Sequence, residues 1–280
     1  MIKLKTQDEI ELIRKSSLLV AKTHAEVAKH IRPGITTKSL DVIAETFIRD
    51  HEGAKPAFKG YGGFPATLCI SENEQIVHGF PSDREIKEGD ILSIDCGVEW
   101  EGYFGDSAFT YPVGDQTDEV WDLLIDTIDS LYVGIDCARI GNRIGDVSYA
   151  IQKYTEIDRG YGVVRELVGH GVGSALHESP DVPNYGKRGR GPKIKEGLVI
   201  AIEPMINAGS RKVKQLNDGW TIITADGKPS AHFEHTVAVT KNGPDILSDF
   251  EVIFESIKSN PNIKDFKEKV RYLQTNFQDG

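Results

Sequence analysis

Residues 6 to 31 carry apolar side chains at Ile10, Ile13, Val20, Val27 and Ile31, the spacing of one face of an α-helix. Thr6, followed three residues later by Glu9, forms a capping box at its start, and "RPGIT" ends it. A second helix is predicted from about Thr37 to His51, with Leu40, Ile43, Ala44, Phe47 and Ile48 as its apolar stripe. Glycine- and proline-bearing sequence follows, "FKGYGGFP" at 58–65, and then strands near 66–71 and 75–79. "ILSIDCGVEWEGYFGDSAFTYPV" (91–113) alternates on both sides of "EWEG", which predicts an antiparallel hairpin.

The same order of elements then returns. "KEGDILSID" (87–95) and "KEGLVIAIE" (195–203) lie 108 residues apart, and each ends on a carboxylate at its ninth position. "RPGITTKSLDVIAETFIR" (32–49) recurs as "RIGNRIGDVSYAIQKYTE" (139–156), after a further helix, "EVWDLLIDTIDSLYVGID" (119–136). Helices and strand repeating in one order at nearly one period predict a two-copy internal repeat. The halves fall at approximately 6–114 and 115–247. Neither closes a core alone, so they are expected to form one pseudo-symmetric α+β domain over residues 1–249, sheet inside and helices outside. The pattern stops after about Leu247. Residues 250–280 are charged, with a weakly amphipathic segment at Phe266, Val270 and Leu273, and read as an extension of unassigned role, dispensable for chemistry.

Composition narrows the class. With 39% hydrophobic and 27% charged residues the chain is ordinary for a soluble globular protein. No apolar run approaches 18 residues, so no membrane span is expected, and the lysines near the start precede no apolar stretch of a signal peptide. Three cysteines without CxxC spacing fit a reduced, cytoplasmic setting. A formal net charge of −10 argues against a nucleic-acid binder. The basic cluster "GKRGRGPKIK" (186–195) reads as a solvated loop or as a contact with RNA or an acidic partner.

The carboxylates carry the chemistry. Folding the hairpin about Trp100 and Glu101 sets Asp95 opposite Asp106, where strand partners have Cβ atoms about 5 Å apart. Two acids that close on apolar strands repel each other or hold a proton, and a divalent cation removes the conflict. The second half repeats the arrangement: Glu203 ends "LVIAIE" and Glu234 opens "HFEHTVAVT". Four carboxylates brought to one centre by the repeat fit two bridged divalent metals better than one. An imidazole is available from His170 or His177 in "VGHGVGSALHESP", or from His78 in "IVHGF". An oxygen-rich set with one imidazole suits Mn, Fe or Co better than a thiolate-held zinc.

In order, Asp95, Asp106, His170, Glu203 and Glu234 resemble the metal set of the pita-bread metallopeptidases. The surrounding words, "GYGGFPATLCISENEQIVHGFP", "GDILSIDCGVEWEGYFGDSAFTYPVG", "GHGVGSALHESPDVPNYG", "IEPMINAG" and "SAHFEHTVAVT", resemble the type I methionine aminopeptidases over roughly residues 6 to 247. That resemblance implies the pita-bread fold and removal of the initiator methionine from nascent chains when the second residue is small. It implies two divalent metals (Co, Mn, Fe or Zn), one on Asp95, Asp106 and Glu234, the other on Asp106, His170, Glu203 and Glu234. An activated hydroxide would attack the first peptide bond. Glu203 would pass the proton, His177 would steady the scissile amide, and His78 would contact the substrate backbone.

The methionine side chain would enter a pocket of Phe58, Tyr61, Phe64, Cys69, Leu176 and Trp220, where aromatics and a thiol suit a thioether. Phe64 stands where the family has a tyrosine, and Leu176 where many members have phenylalanine. Asn73 and Ser230 match positions that hold a monovalent cation in some members. A cytoplasmic monomer acting on nascent amino termini, with no membrane and no specific DNA binding, is expected, and the sequence leaves a contact with the ribosome open. Proline-specific relatives usually carry a large domain ahead of the catalytic one, for which the helix beginning at Thr6 leaves no room.

Overall fold

The computed structural model describes residues 1–276. Helix α1 (Gln7–Ala28) begins where the capping box requires: Glu9 N–H donates to Thr6 Oγ1 and Thr6 N–H to Glu9 Oε2. Helix α2 follows at Thr37–Arg49. In the second half, α3 (Asp118–Asp136) is capped by Thr117, and α4 (Ile144–Gln152) runs into one wider turn at Lys153–Ile157. The internal repeat is visible in the hydrogen bonds as well as in the elements. Ile86 N–H donates to Ile35 O just before α2, and Ile194 N–H to Asn142 O just before α4. Gly89 and Gly197, both at positive φ, donate to Val113 O and Val239 O.

Among the described residues every strand pairing is antiparallel. In the first half Leu68–Glu72, Ile91–Trp100 and Tyr103–Pro112 lie side by side. In the second, Glu178–Val182, Gly169–Gly171, Val199–Ile202, His235–Thr240 and Gly243–Ile246 form one sheet in that order. The hairpin register differs from the expected one by two residues. Trp100 pairs with Tyr103, so Asp95 lies opposite Ala108 and Asp106 opposite Gly97. The reason is the turn. Glu101 (φ 54°) and Gly102 (φ 81°) supply the two positive-φ positions of a tight two-residue loop, which Trp100 would enter only under strain. A shift of two preserves the face, so Asp95 and Asp106 remain neighbours on it, diagonally rather than directly opposed.

The second-half acids sit where strands break. Glu203 lies immediately beyond Val199–Ile202, and Pro204 follows before the chain resumes at Met205–Asn207. Glu234, expected to open a strand, instead falls between Ser230–His232 and His235–Thr240. The halves meet along this gap. Glu234 N–H donates to Ala108 O (2.9 Å), Ser107 Oγ to Glu234 O (2.7 Å), and Thr236 Oγ1 to Asp106 O (2.7 Å).

Helices cover the outside. Helix α1 lies so close to the hairpin that a Cβ on Gly105 would come within 2.3 Å of Ser17 N. Beyond residue 249 the chain stays attached to the core. Helix α5 (Glu251–Lys258) packs on α1, and Asn260 Nδ2 donates to Ala28 O and Ile31 O at the end of α1. Phe250, Ile253, Phe254, Ile257, Phe266 and Val270 are buried in the main core, with Leu273 partly buried against it. The last helix, α6 (Arg271–Asn276), is tied down by Arg271 on Asp126 (2.6 Å). Among the described residues no helix is long and apolar enough to cross a membrane.

Candidate metal centre

One cavity of about 570 Å³ opens at the junction of the halves, and Asp95, Asp106, His170, Glu203 and Glu234 all line it. Asp95 and Asp106 project from the ladder of the hairpin; the strand Gly169–Gly171 carries His170; the two glutamates reach in from the strand breaks. Ligand atoms of Asp106, His170 and Glu234 lie within 4.8 Å of one another. His170 Nε2 is 3.7 Å from Asp106 Oδ2 and 3.6 Å from Glu203 Oε1. Its other ring nitrogen, Nδ1, donates to Gly171 O (3.0 Å), which leaves Nε2 with a free lone pair facing the carboxylates.

The electrostatics are those of a cation cage. Among the described residues, Asp95 Oδ1, Asp106 Oδ1 and Glu234 Oε1 are buried without a hydrogen-bond partner, and no lysine or arginine lines the cavity. Burial raises all four carboxyls above their usual range, and for Asp106 and Glu234 the neighbouring acids raise them further. Burial pushes His170 down to about 3, keeping it neutral. Buried oxygens that find no donor in the protein, beside one neutral imidazole, fit divalent cations.

Beside the acids the cavity turns apolar. Phe58, Phe64, Ala66, Cys69 and Leu176 form one buried cluster, with Phe80, Phe104 and Trp220 partly buried against it. Phe64 meets Trp220 edge to face at 5.2 Å. Cys69 stands directly opposite Asp95 in the next strand, one cross-strand step from the carboxylates, and burial raises its thiol well above the usual range. Gly97, opposite Asp106, has no side chain to block the Phe58 ring: a Cβ there would come within 2.6 Å of it. Tyr61, grouped with the pocket by sequence, also lines the cavity, at its mouth, 48% exposed, with its hydroxyl 2.9 Å from His177 Nδ1.

His177 is exposed at the rim, its ring against that of His170 at 4.1 Å. His78 lines the cavity at φ 58°, a strained conformation for a non-glycine residue, and burial lowers it to about 4. Asn73 and Ser230 are brought together, Ser230 N–H donating to Asn73 O at 2.9 Å. Their side chains already bond Asp90 and Asn207.

One residue was missed from the sequence. His232 is buried in the cavity wall, its Nε2 3.5 Å from Glu203 Oε2 and without a hydrogen-bond partner. The signal was present: in "SAHFEH" it stands two residues from Glu234, the spacing that puts side chains on one face of extended chain.

A cage of buried acids and one imidazole, set at the seam of a duplicated α+β fold, defines a metal-dependent hydrolase of pita-bread architecture. The chain belongs to metallopeptidase family M24, whose model matches residues 11–241, and within that family to the type I methionine aminopeptidases. It is 54% identical over 248 residues to methionine aminopeptidase 1 of Bacillus subtilis, covering 89% of this chain and 99% of that one. To methionine aminopeptidase of Clostridium perfringens it is 53% identical, with the same coverage. The crystal structure of the Thermotoga maritima methionine aminopeptidase superposes with a TM-score of 0.87 at 43% identity, over 89% of this chain and 100% of that chain. A prolidase of Pyrococcus furiosus matches with a TM-score of 0.71 at 25% identity; 88% of this chain is covered, but only 65% of the prolidase.

Proposed function

We propose that this protein removes the initiator methionine from nascent proteins whose second residue is small. The observation that carries this is the pairing of Cys69 with Asp95: a buried apolar cluster abuts the carboxylate cage across one strand spacing. A side chain seated among Phe58, Phe64, Cys69, Leu176 and Trp220 therefore holds its own backbone beside the acids. The cluster's aromatic rings and thiol suit an unbranched thioether side chain such as methionine.

Asp95, Asp106, His170, Glu203 and Glu234 are the residues that would hold two divalent cations (Co, Mn, Fe or Zn). When bound, the cations supply a water acidified to near neutral pH and polarise the scissile carbonyl. The protein's own groups do the rest. Glu203, raised by burial, takes up the proton and passes it to the leaving amine. His177, held at the rim by Tyr61, donates to the scissile amide and steadies the tetrahedral intermediate. His78 contacts the substrate backbone from the facing wall. A monovalent cation near Asn73 and Ser230 would rely on backbone carbonyls, since both side chains are engaged.

The protein acts as a monomer in the cytoplasm on amino termini emerging at the ribosome. The cationic loop at 187–195, whose lysines and arginines are exposed, supports a contact with an acidic surface there. The catalytic unit spans residues 1–249 in two halves. The test is hydrolysis of Met-Gly, Met-Ala and Met-Ser tripeptides against Met-Lys, Met-Phe and X-Pro peptides. The first group should be cleaved and the second not; equal rates on Met-Lys would overturn the reading.

A further inference from the structure

Lys5 and Glu178 form an ion pair with Nζ–Oε2 at 2.7 Å, and their side chains are only 4% and 6% exposed. The pair is out of water although one partner belongs to the segment ahead of the first helix and the other follows His177 directly. A buried ion pair is weak evidence for stability, because desolvation offsets the attraction. Its geometry points instead to what it holds.

Glu178 is the knot of a short loop. Its Oε1 lies 3.3 Å from Ala175 N–H and 3.4 Å from Ser174 Oγ, so one carboxylate ties together the turn that presents Leu176 and His177. It is paired in register with Gly171, next to His170. Gly173 packs on the Lys5 stem, where a Cβ would come within 2.5 Å of Lys5 Cε. Lys5 is itself fixed from behind: its N–H donates to Gly197 O (2.6 Å) and its Nζ to Lys3 O (3.1 Å). The exposed Lys3 adds only a second, 3.7 Å contact to the same carboxylate. Burial raises the Glu178 carboxyl, but the Lys5 hydrogen bond and charge, with the Lys3 charge and the Ala175 N–H, together outweigh it and leave it below the usual range.

We propose that Lys5 is a positioning residue for His177: anchored on Gly197 in the turn ahead of Val199–Ile202, its ammonium holds Glu178 and so fixes the 173–178 loop over the metal centre. The segment ahead of the first helix is then part of the active site at second hand. This rests on the proposed role of His177, which the test examines separately.

Lys5→Met alone leaves Glu178 charged and unpaired in the interior, which can unfold the protein. The working variant is therefore Lys5→Met with Glu178→Gln, and Lys5→Arg is the conservative rescue. On a Met-Gly tripeptide with saturating Mn²⁺, the double variant should lose about tenfold to a hundredfold in kcat, with KM within about threefold. Lys5→Arg should recover most of it. In a His177→Ala background the same double change should lower kcat less than about twofold, because a residue acting through another has nothing left to act on. Imidazole NMR of the metal-free protein supplies a readout independent of catalysis. The His177 ring signal, shifted by the His170 ring, should move or broaden in the double variant and persist in Lys5→Arg. An unmoved ring signal, or an equal kcat loss with and without His177, overturns the proposal. An unchanged kcat in His177→Ala overturns the catalytic role of His177 and leaves the ring signal to decide the tether.

Discussion

The two halves deliver their acids to the same centre by different means. In the first half, Asp95 and Asp106 stand in the middle of an unbroken ten-residue ladder on each strand. In the second half, Glu203 and Glu234 stand in gaps, one ahead of Pro204 and one between two short strands. A ladder residue has its Cα fixed by hydrogen bonds on both sides, and a short aspartate there points its oxygens with little freedom. A residue in a gap is held from outside its own strand, Glu234 by Ala108 O and Ser107 Oγ and Glu203 by Asn184 Nδ2, and the extra methylene of glutamate spans the distance. The pseudo-symmetry thus preserves the position of the charges but not the way they are held: the hairpin is a rigid floor, and the broken strands are reaching arms. Behind both, one aromatic cluster joins the halves. Phe109 of the hairpin and Phe233 beside Glu234 pack together with Phe250, Phe254 and Phe266 of the C-terminal segment.

The harshest way to break this comparison is Asp106→Asn, which removes the proposed floor ligand at the centre of the charges. It should lower kcat on a Met-Gly tripeptide by roughly 10⁴, while the far-UV spectrum stays native. Activity within tenfold of wild type would mean the floor is not the metal site. Next comes the joint behind it. Phe254→Ala should cost about 3–5 kcal/mol of stability, read by urea unfolding. Because no proposed ligand lies after Glu234, its kcat at low temperature should stay within about tenfold. A chain ending at Asp249 loses the whole cluster contribution and should melt far lower still, its rate being measured while it remains folded.

The metal itself should act through both halves. Excess Mn²⁺ at a hundredfold over Kd should add about 2.7 kcal/mol, a rise in melting temperature of several degrees over EDTA. The sign of its pH dependence follows from the raised carboxyls. A carboxyl raised on folding contributes stability that is present below its unfolded pKa and lost as pH rises through its folded one. Without metal the folded state is therefore penalised toward neutral pH, and metal relieves that penalty. The shift should be large at pH 7.5 and shrink toward pH 5, where protons compete with the cation. A shift that grows on acidification would contradict the cage. The smallest effect sharpens the contrast between floor and arms. Asp95→Glu overfills the ladder beside Cys69 and should cost about 1–3 kcal/mol in stability. Glu203→Asp leaves stability within about 0.5 kcal/mol and weakens metal binding instead, seen by calorimetric titration.

Much of this was legible beforehand, for local reasons. The Thr6–Glu9 box, the Lys-Glu-Gly turns and the alternation around "EWEG" depend on residues within a few positions of one another, so the helices, the repeat and the acids could be read directly. His232 could have been read too, from its spacing to Glu234. The register of the hairpin was missed by two because alternation specifies the face but not the turn; the preference of Glu101–Gly102 for positive φ decides that.

The sequence by itself determined the elements, the duplication and which acids share a face, since periodicity and turn chemistry act between near neighbours. Only the tertiary structure decided that Glu203 and Glu234 reach in from broken strands, that Phe254 and Phe266 close the core behind Phe109, and that Lys5 meets Glu178. Those contacts join residues up to 173 positions apart. They arise when two faces, each already formed, find the one packing that buries both, and no stretch of chain carries that information alone.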